Sequence, residues 1–358
     1  MLFSLKFKPA CWVVFAMALT GCAQQPTTPF INPAFPPPPE KPKLIYEGTL
    51  RSSKDVQEIT LADKIKKIAT GAIEDPLGLA KPYGVAVKNS RIYVTDTQQR
   101  AILMFDLANQ TFNIFGIEGD GSVLKPLGID ISSLDEIFVA DITAKRVVVF
   151  DLDGNYLRSL GNETMFIRPS GVTVSRNGQT IFVVDTGGLD SEQHRILVLD
   201  AKTGHVKHII GERGAAPGKL NLPLQASVAP NGKLYVVDSG NFRVQAFNTD
   251  DYTFSHSFGS LGRKSGNFSR PKGIATDNDS NVYVVDTAFG NFQVFNAQGT
   301  LLLFAGARST SGGPAKYMLP AGIDVDEQGR VYVVDQFFRK IDIYRPAQLP
   351  PLGNLPKF

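Results

Sequence analysis

The sequence predicts an all-β fold: a six-bladed β-propeller of four-stranded antiparallel blades, the last blade closed by an N-terminal strand. Three observations carry this. An aspartate ending a short apolar run recurs at Asp96, Asp141, Asp185, Asp238, Asp286 and Asp335, at intervals of 45, 44, 53, 48 and 49 residues. An X-Pro-X-Gly entry precedes it at Pro82, Pro126, Pro169, Pro271 and Pro320. The 33 glycines and 23 prolines fall mostly between short apolar runs in a chain that is 43% hydrophobic, the profile of a turn-rich β protein with a large core. Four strands in a repeat of about 45 residues match propeller blades. A β/α solenoid is disfavoured because helical periodicity is nearly absent from the repeats.

The chain opens with Lys6 and Lys8, then an apolar run from Ala10 to Leu19. That run is too short for a bilayer span, which takes roughly 20 apolar residues. A basic start, a short apolar run and small residues at its end form a secretory signal, residues 1–21. The segment Leu19-Thr20-Gly21-Cys22 resembles the lipobox cut by bacterial lipoprotein signal peptidase. That resemblance implies a diacylglycerol on Cys22, and Ala23 in place of Asp implies sorting to the outer membrane. Residues 22–43 follow, with Pro26, Pro29, Pro33, Pro36, Pro37, Pro38, Pro39 and Pro42. Such a stretch favours extended polyproline geometry and serves as a semi-rigid tether. With Cys11 removed and Cys22 acylated, the mature part has no thiol for a disulfide or a metal.

Within the propeller, expected over 44–346, blade one runs Pro82-Tyr83-Gly84-Val85-Ala86-Val87, Ile92-Tyr93-Val94-Thr95-Asp96, Ile102-Leu103-Met104-Phe105-Asp106 and Phe112-Asn113-Ile114-Phe115. Asn177-Gly178 and Asn231-Gly232 are hairpin turns between first and second strands, and Asp153-Gly154 and Gln298-Gly299 join third to fourth. Gly84, Gly128, Gly171, Gly273 and Gly322 open the innermost strands, where crowding at the axis excludes side chains. Blade four departs from the pattern, with Gln225 where glycine is expected. Strand runs such as Tyr-Val-Val are apolar on both faces because each blade packs between two others. Blade six has three strands of its own, so the orphan segment 44–50, Leu-Ile-Tyr-Glu-Gly-Thr-Leu, is expected to supply its outer strand and protect the edge. In the connection 51–80, Thr60-Leu61-Ala62-Asp63 resembles a capping box, and Leu61, Ile65 and Ile68 share a helical face ahead of Gly71. Residues 347–358 are expected to form a C-terminal tail.

The repeats resemble the NHL family. The carriers are Arg270-Pro271-Lys272-Gly273-Ile274-Ala275, Val282-Tyr283-Val284-Val285-Asp286 and the Gly-rich connection from Gly259 to Phe268. The resemblance covers roughly residues 81–346. It specifies fold far better than function, because one fold hosts many sites.

The loop entering the first strand and the loop joining the second and third share one face. The entry loops carry Lys81, Lys125, Arg168 and Arg270; the second set carries Arg100, Arg146, Arg195 and Arg243. These eight cations either ring the channel mouth for an anionic ligand or partner, or pair with the strand-ending aspartates. Interleaved opposite charges favour pairing. The six aspartates either ring a channel cation or accept hydrogen bonds from their own loops, the commoner use of Asp at turns. The loop Thr186 to His194 is the longest of its kind and a candidate contact site.

Relatives of the fold that are lyases hold zinc or use a histidine near the axis. This chain has four histidines, and His205, His208 and His256 fall in or beside outer strands, leaving His194 on the loop-bearing face. A zinc site needs about three converging ligands. Tyr83 and Tyr317 are placed near the mouth. The formal charge of +3 gives no bulk drive toward nucleic acid, and no CxxCH motif attaches haem. The leading expectation is a non-catalytic binding or scaffolding propeller, monomeric and without cofactor, lipid-anchored in the cell envelope. It would face the periplasm or the cell surface and engage an envelope protein; the family resemblance extends to lipoproteins linked with multihaem cytochrome assemblies. The alternative is a metal-dependent lyase or hydrolase with its site at the channel mouth, around Asp130, Asp324 and the loop-face aspartates.

Overall fold

A computed structural model describes residues 32–57, 77–353 and 355. Cys22 and the segment expected to be helical lie outside the described residues. Five sheets follow the chain in order, each of four antiparallel strands. Blade one comprises Pro82–Lys88, Arg91–Asp96, Ala101–Asp106 and Thr111–Phe115; blade two comprises Pro126–Ile131, Glu136–Asp141, Arg146–Asp151 and Tyr156–Leu160. Blades three to five repeat the plan from Pro169, Pro223 and Pro271. The ring closes as expected. In blade six, Pro320–Val325, Val331–Asp335 and Lys340–Pro346 are joined by Leu44–Leu50, which runs antiparallel to Lys340–Pro346 with Leu44 opposite Pro346 and Leu50 opposite Ile341.

The apolar runs explain why blades stack. The core is divided into clusters lying between neighbouring blades. Tyr93 and Ile102 of blade one pack with Ile137 and Phe150 of blade two. Leu50, Val334 and Ile341 of blade six pack with Val94, Leu103 and Phe105 of blade one. Each such side chain stabilises by about 1.5–3 kcal/mol on full burial. At the axis, a Cβ on Gly322 would lie 2.4 Å from the Tyr83 carbonyl oxygen, and one on Gly128 would lie 2.6 Å from the Gly171 Cα. The innermost strands therefore touch backbone to backbone, leaving an axial cavity of about 40 Å³, room for water at most. Gln225 replaces glycine in blade four by turning its side chain along this cavity, its Nε2 donating to the Ser170 carbonyl at 3.2 Å.

Both chain ends hold more structure than their sequence suggests. Part of the proline-rich stretch folds back on blade six: Ala34–Phe35 pairs with Leu44–Leu50 as a fifth strand, and the Phe35 ring meets the Tyr344 ring edge-on at 6.0 Å. After Pro346 the chain turns through an Arg345 Nη1 hydrogen bond to the Leu349 carbonyl, 2.6 Å. Leu352 and Leu355 then pack against the core between blades six and one.

Candidate functional site

The strand-ending aspartates shape the face that carries the entry and second-to-third-strand loops, here the upper face. All six are fully buried. Asp96 accepts Ala80 N and Lys81 N on Oδ2, and Gln98 N and Gln99 N on Oδ1, at 2.7–3.0 Å. Asp141, Asp286 and Asp335 repeat this four-bond arrangement. Asp185 and Asp238 keep the entry-loop bonds and add an arginine. Five of the carboxylates therefore tie the entry loop to the turn, Asp238 through Asn241 Nδ2, whereas Asp185 ties it to Arg195 at the start of the third strand. The sequence indicated the turn bonds; the reach to the entry loop came from the sheet register, which sets each strand-ending Asp opposite the entering proline. A second tie runs backbone to backbone, as in Thr97 N to Lys81 O at 3.1 Å and Ile142 N to Lys125 O at 3.2 Å.

The eight cations then separate by position. Arg146, Arg195 and Arg243 begin third strands directly opposite Asp141, Asp185 and Asp238. Arg195 Nε lies 3.3 Å from Asp185, and Arg243 Nε 2.8 Å from Asp238. Arg146 instead donates to the Ser122 carbonyl and Ser159 Oγ. Lys81, Arg100, Lys125, Arg168 and Arg270 are exposed and, among the described residues, form no ion pair. In blade one the residue opposite Asp96 is Ala101, so the basic residue sits one place earlier, on the turn at Arg100. A one-residue displacement of this kind turns a side chain away from its cross-strand partner.

Nearer the axis, Lys272 lies between Pro271 and Gly273. Its Nζ stands 4.4 Å above the Tyr83 ring and donates to Gln336 Oε1 at 3.2 Å. Burial, reinforced by the charges of Lys81 and Arg270, pushes this amine down to about 8. Burial pushes Tyr83 up to about 12, with Arg168 opposing. Tyr317 is not at the mouth: it is buried between blades five and six, its hydroxyl 2.5 Å from that of Tyr344.

The opposite, lower mouth holds Asp130 and Asp324. Asp130 accepts Thr173 Oγ1 and Val174 N from blade three, and Asp324 accepts Val87 N from blade one. Burial raises both carboxyls, Asp324 well above the usual range with Asp130 adding to the effect. They sit at the other end of the channel from the six strand-ending aspartates and stitch neighbouring innermost strands together. His194 is buried, with Nε2 at the Gly188 carbonyl and Nδ1 accepting Leu222 N, so it shapes the long loop of blade three. His208 stacks on Tyr252 and His256 adjoins Ser255 at outer strands. Among the described residues no three His, Cys, Asp or Glu side chains are grouped as metal ligands.

Residues 220–247, which span the second strand of blade four and its aspartate, match the NHL repeat family model. NHL repeat-containing protein 3 of Homo sapiens and that of Mus musculus are 29% and 30% identical to the chain over 89 residues. The match spans about a quarter of the length of these curated relatives, 24%, and 25% of this chain. Among solved structures, a gluconolactonase from Xanthomonas campestris aligns with TM-score 0.57 at 15% identity, over 75% of this chain and 86% of its own. Virginiamycin B lyase from Staphylococcus aureus aligns with TM-score 0.53 at 15% identity, over 87% and 90%. Kuenenia stuttgartiensis hydrazine synthase aligns with TM-score 0.54 at 14% identity, over 78% and 86%. At such identities the likeness is one of fold. The architecture and its interlocking aspartates define a six-bladed β-propeller. The repeat over residues 220–247 is of the NHL type.

Proposed function

We propose that this chain is a non-catalytic binding and scaffolding propeller, held in the bacterial envelope by a lipid on Cys22, whose upper face receives an acidic surface of an envelope protein. The observation that carries the reading is the set of five exposed cations around the upper mouth with no ion pair among the described residues. The turns of the lower face carry Asp153, Asp250, Asp251, Asp277, Asp279 and Glu327 beside Arg176 and Lys202. Cations without carboxylate partners around one mouth steer an acidic partner toward it. Exposed Leu124, Leu319 and Phe337 sit among the upper loops and supply apolar contact. The signal segment, the lipobox-like sequence and the proline-rich stretch support export and anchoring.

Affinity capture from detergent-solubilised envelopes tests this, comparing the intact chain with a Lys125→Glu/Arg168→Glu/Arg270→Glu variant. Co-purifying proteins are expected to be lost from the variant. An unchanged set removes the upper face from consideration. In parallel, Cys22→Ser is expected to move the protein from the membrane to the soluble fraction, and persistence in the membrane fraction counts against the anchor.

A further inference from the structure

We infer that the depression between blades one and two on the upper face is a binding site for a multiply charged oxyanion of the diphosphate class. It has a volume of about 490 Å³, within the size of small-molecule sites, and is lined by Lys81, Arg100, Lys125, Thr97, Gln98 and Thr143 beside Leu124. The inference deepens the reading of the upper face as the working face and rests on it.

Three cations from three separate segments converge here, and no carboxylate lines the depression. Asp96 and Asp141, which bond to these loops, are fully buried and each accepts four backbone N–H groups. These bonds fix the backbone under the cations: Lys81 N donates to Asp96 at 2.8 Å and Lys125 N to Asp141 at 3.1 Å. The side chains are left free on a rigid floor. Blades three and four show the contrast, since Arg195 and Arg243 reach the strand-ending carboxylate and are neutralised. Between blades one and two nothing plays that part, and like charges in a half-enclosed depression focus a positive potential. The planar fork of Arg100 grips two oxygens of one phosphoryl group, and Lys81 and Lys125 act as point charges for a second. The Gln98 amide and Thr143 hydroxyl add neutral donors. The two phosphoryl groups of a diphosphate match this division; a monoanion uses only part of it.

Calorimetric titration of the full chain in phosphate-free detergent buffer tests the site, with inorganic diphosphate in one arm. A second arm uses dihexanoylglycerol diphosphate below its micelle concentration, which presents the same diphosphate as a lipid headgroup. Saturable binding is expected in at least one arm, weakened about tenfold or more in Lys81→Ala/Arg100→Ala/Lys125→Ala and unchanged in Lys202→Ala on the lower face. Binding of inorganic diphosphate alone identifies a soluble ligand, and binding of the lipid diphosphate alone a headgroup. No saturable binding in either arm, or equal affinity in the triple variant, overturns the inference. An Arg168→Glu/Arg270→Glu variant separates the two claims, because both residues lie outside the depression. If it loses its protein partners while the wild-type chain ignores both probes, the partner reading stands and the oxyanion site falls.

Discussion

Blade two and blade six reach the same sheet by different means. Blade two is one uninterrupted run, Pro126 to Leu160, in which every strand pairs with its neighbour in sequence. Blade six is assembled from both ends of the propeller, and its outer half arrives from residues 34–50. The third residue of the third strand differs accordingly. It is Val148 in blade two and Asp342 in blade six, both fully buried. Asp342 accepts Thr49 Oγ1 at 2.5 Å from the incoming strand, Lys340 Nζ at 2.6 Å and Ala315 N at 3.2 Å from the connection out of blade five. Tyr46 completes the group at 2.6 Å from Thr49. Burial raises the Asp342 carboxyl and lowers the Lys340 amine, while each opposes the other's shift. A polar network thus holds three segments where blade two relies on sequence-adjacent strands. On the far side of the incoming strand, Glu47 pairs with Arg330 at 3.1 Å and also accepts the Leu352 amide, so the C-terminal tail joins the closure.

The largest test of this contrast removes the incoming strand. Deleting residues 32–50 strips the edge of Lys340–Pro346 and opens the core around Leu50 and Tyr46. The expected result is a fall in Tm of more than about 10 °C, or loss of cooperative unfolding. Amide exchange would rise first in blade six while Arg146–Asp151 of blade two stays protected. Equal protection in both blades would show that the ring does not depend on its closure.

A smaller test breaks the network alone. Lys340→Met leaves Asp342 buried without its cation, a change that costs about 3–5 kcal/mol. Lys340→Met/Asp342→Leu removes both charges and brings the position close to the aliphatic pattern of blade two. It is expected to recover much of that loss, measured by denaturant unfolding. The backbone N–H of Ala315 and the Thr49 hydroxyl lose their acceptor, which limits the recovery. A double variant as unstable as the single one would mean that the two groups act separately.

The closure was legible in the sequence because a three-stranded final repeat and an orphan apolar segment at the other end imply one another. The glycines of the innermost strands were equally legible, since backbone contact at an axis leaves no alternative residue. The polar residues that serve the long blade connections were not. Gln245 and Gln293 occupy the same strand position as Asp342 and bond to backbone of the connections near Gly218, Gly266 and Asn267. In sequence they look like polar interruptions of apolar strands. The fate of the arginines was hidden for a related reason. Register is necessary for a basic residue to meet the strand-ending aspartate, and Arg100 misses it by one residue, but it is not sufficient, since Arg146 lies opposite Asp141 and donates elsewhere. Aligning the first residue of each third strand opposite its aspartate separates Arg100 from Arg195 and Arg243, but not Arg146 from them.

The smallest effect expected concerns Lys272, which occupies the position that Leu127 holds, buried, in blade two. Its amine is lowered from an ordinary 10.5 to about 8 in the folded chain. Between those values the unfolded chain binds the extra proton, so the residue makes stability rise with pH across that window. Below about pH 8 both states are protonated, and the cost of burying the ammonium among Lys81 and Arg270 is borne in full. Lys272→Leu copies blade two and removes that cost. The variant is expected to be more stable than the parent by about 1–2 kcal/mol at pH 7, a Tm higher by a few degrees. The advantage should shrink as pH rises from 8 toward 10.5, which calorimetric scans across that range would show. Tyr83, pushed up from an ordinary 10 to about 12, adds a dependence of opposite sign from about pH 10 upward, but it is common to parent and variant and cancels in their difference. A variant less stable than the parent at pH 7 would mean that the ring contact with Tyr83 and the bond to Gln336 outweigh the repulsion. Lys272 would then be a structural counterpart of Leu127 and no longer a charge held at the mouth against its surroundings.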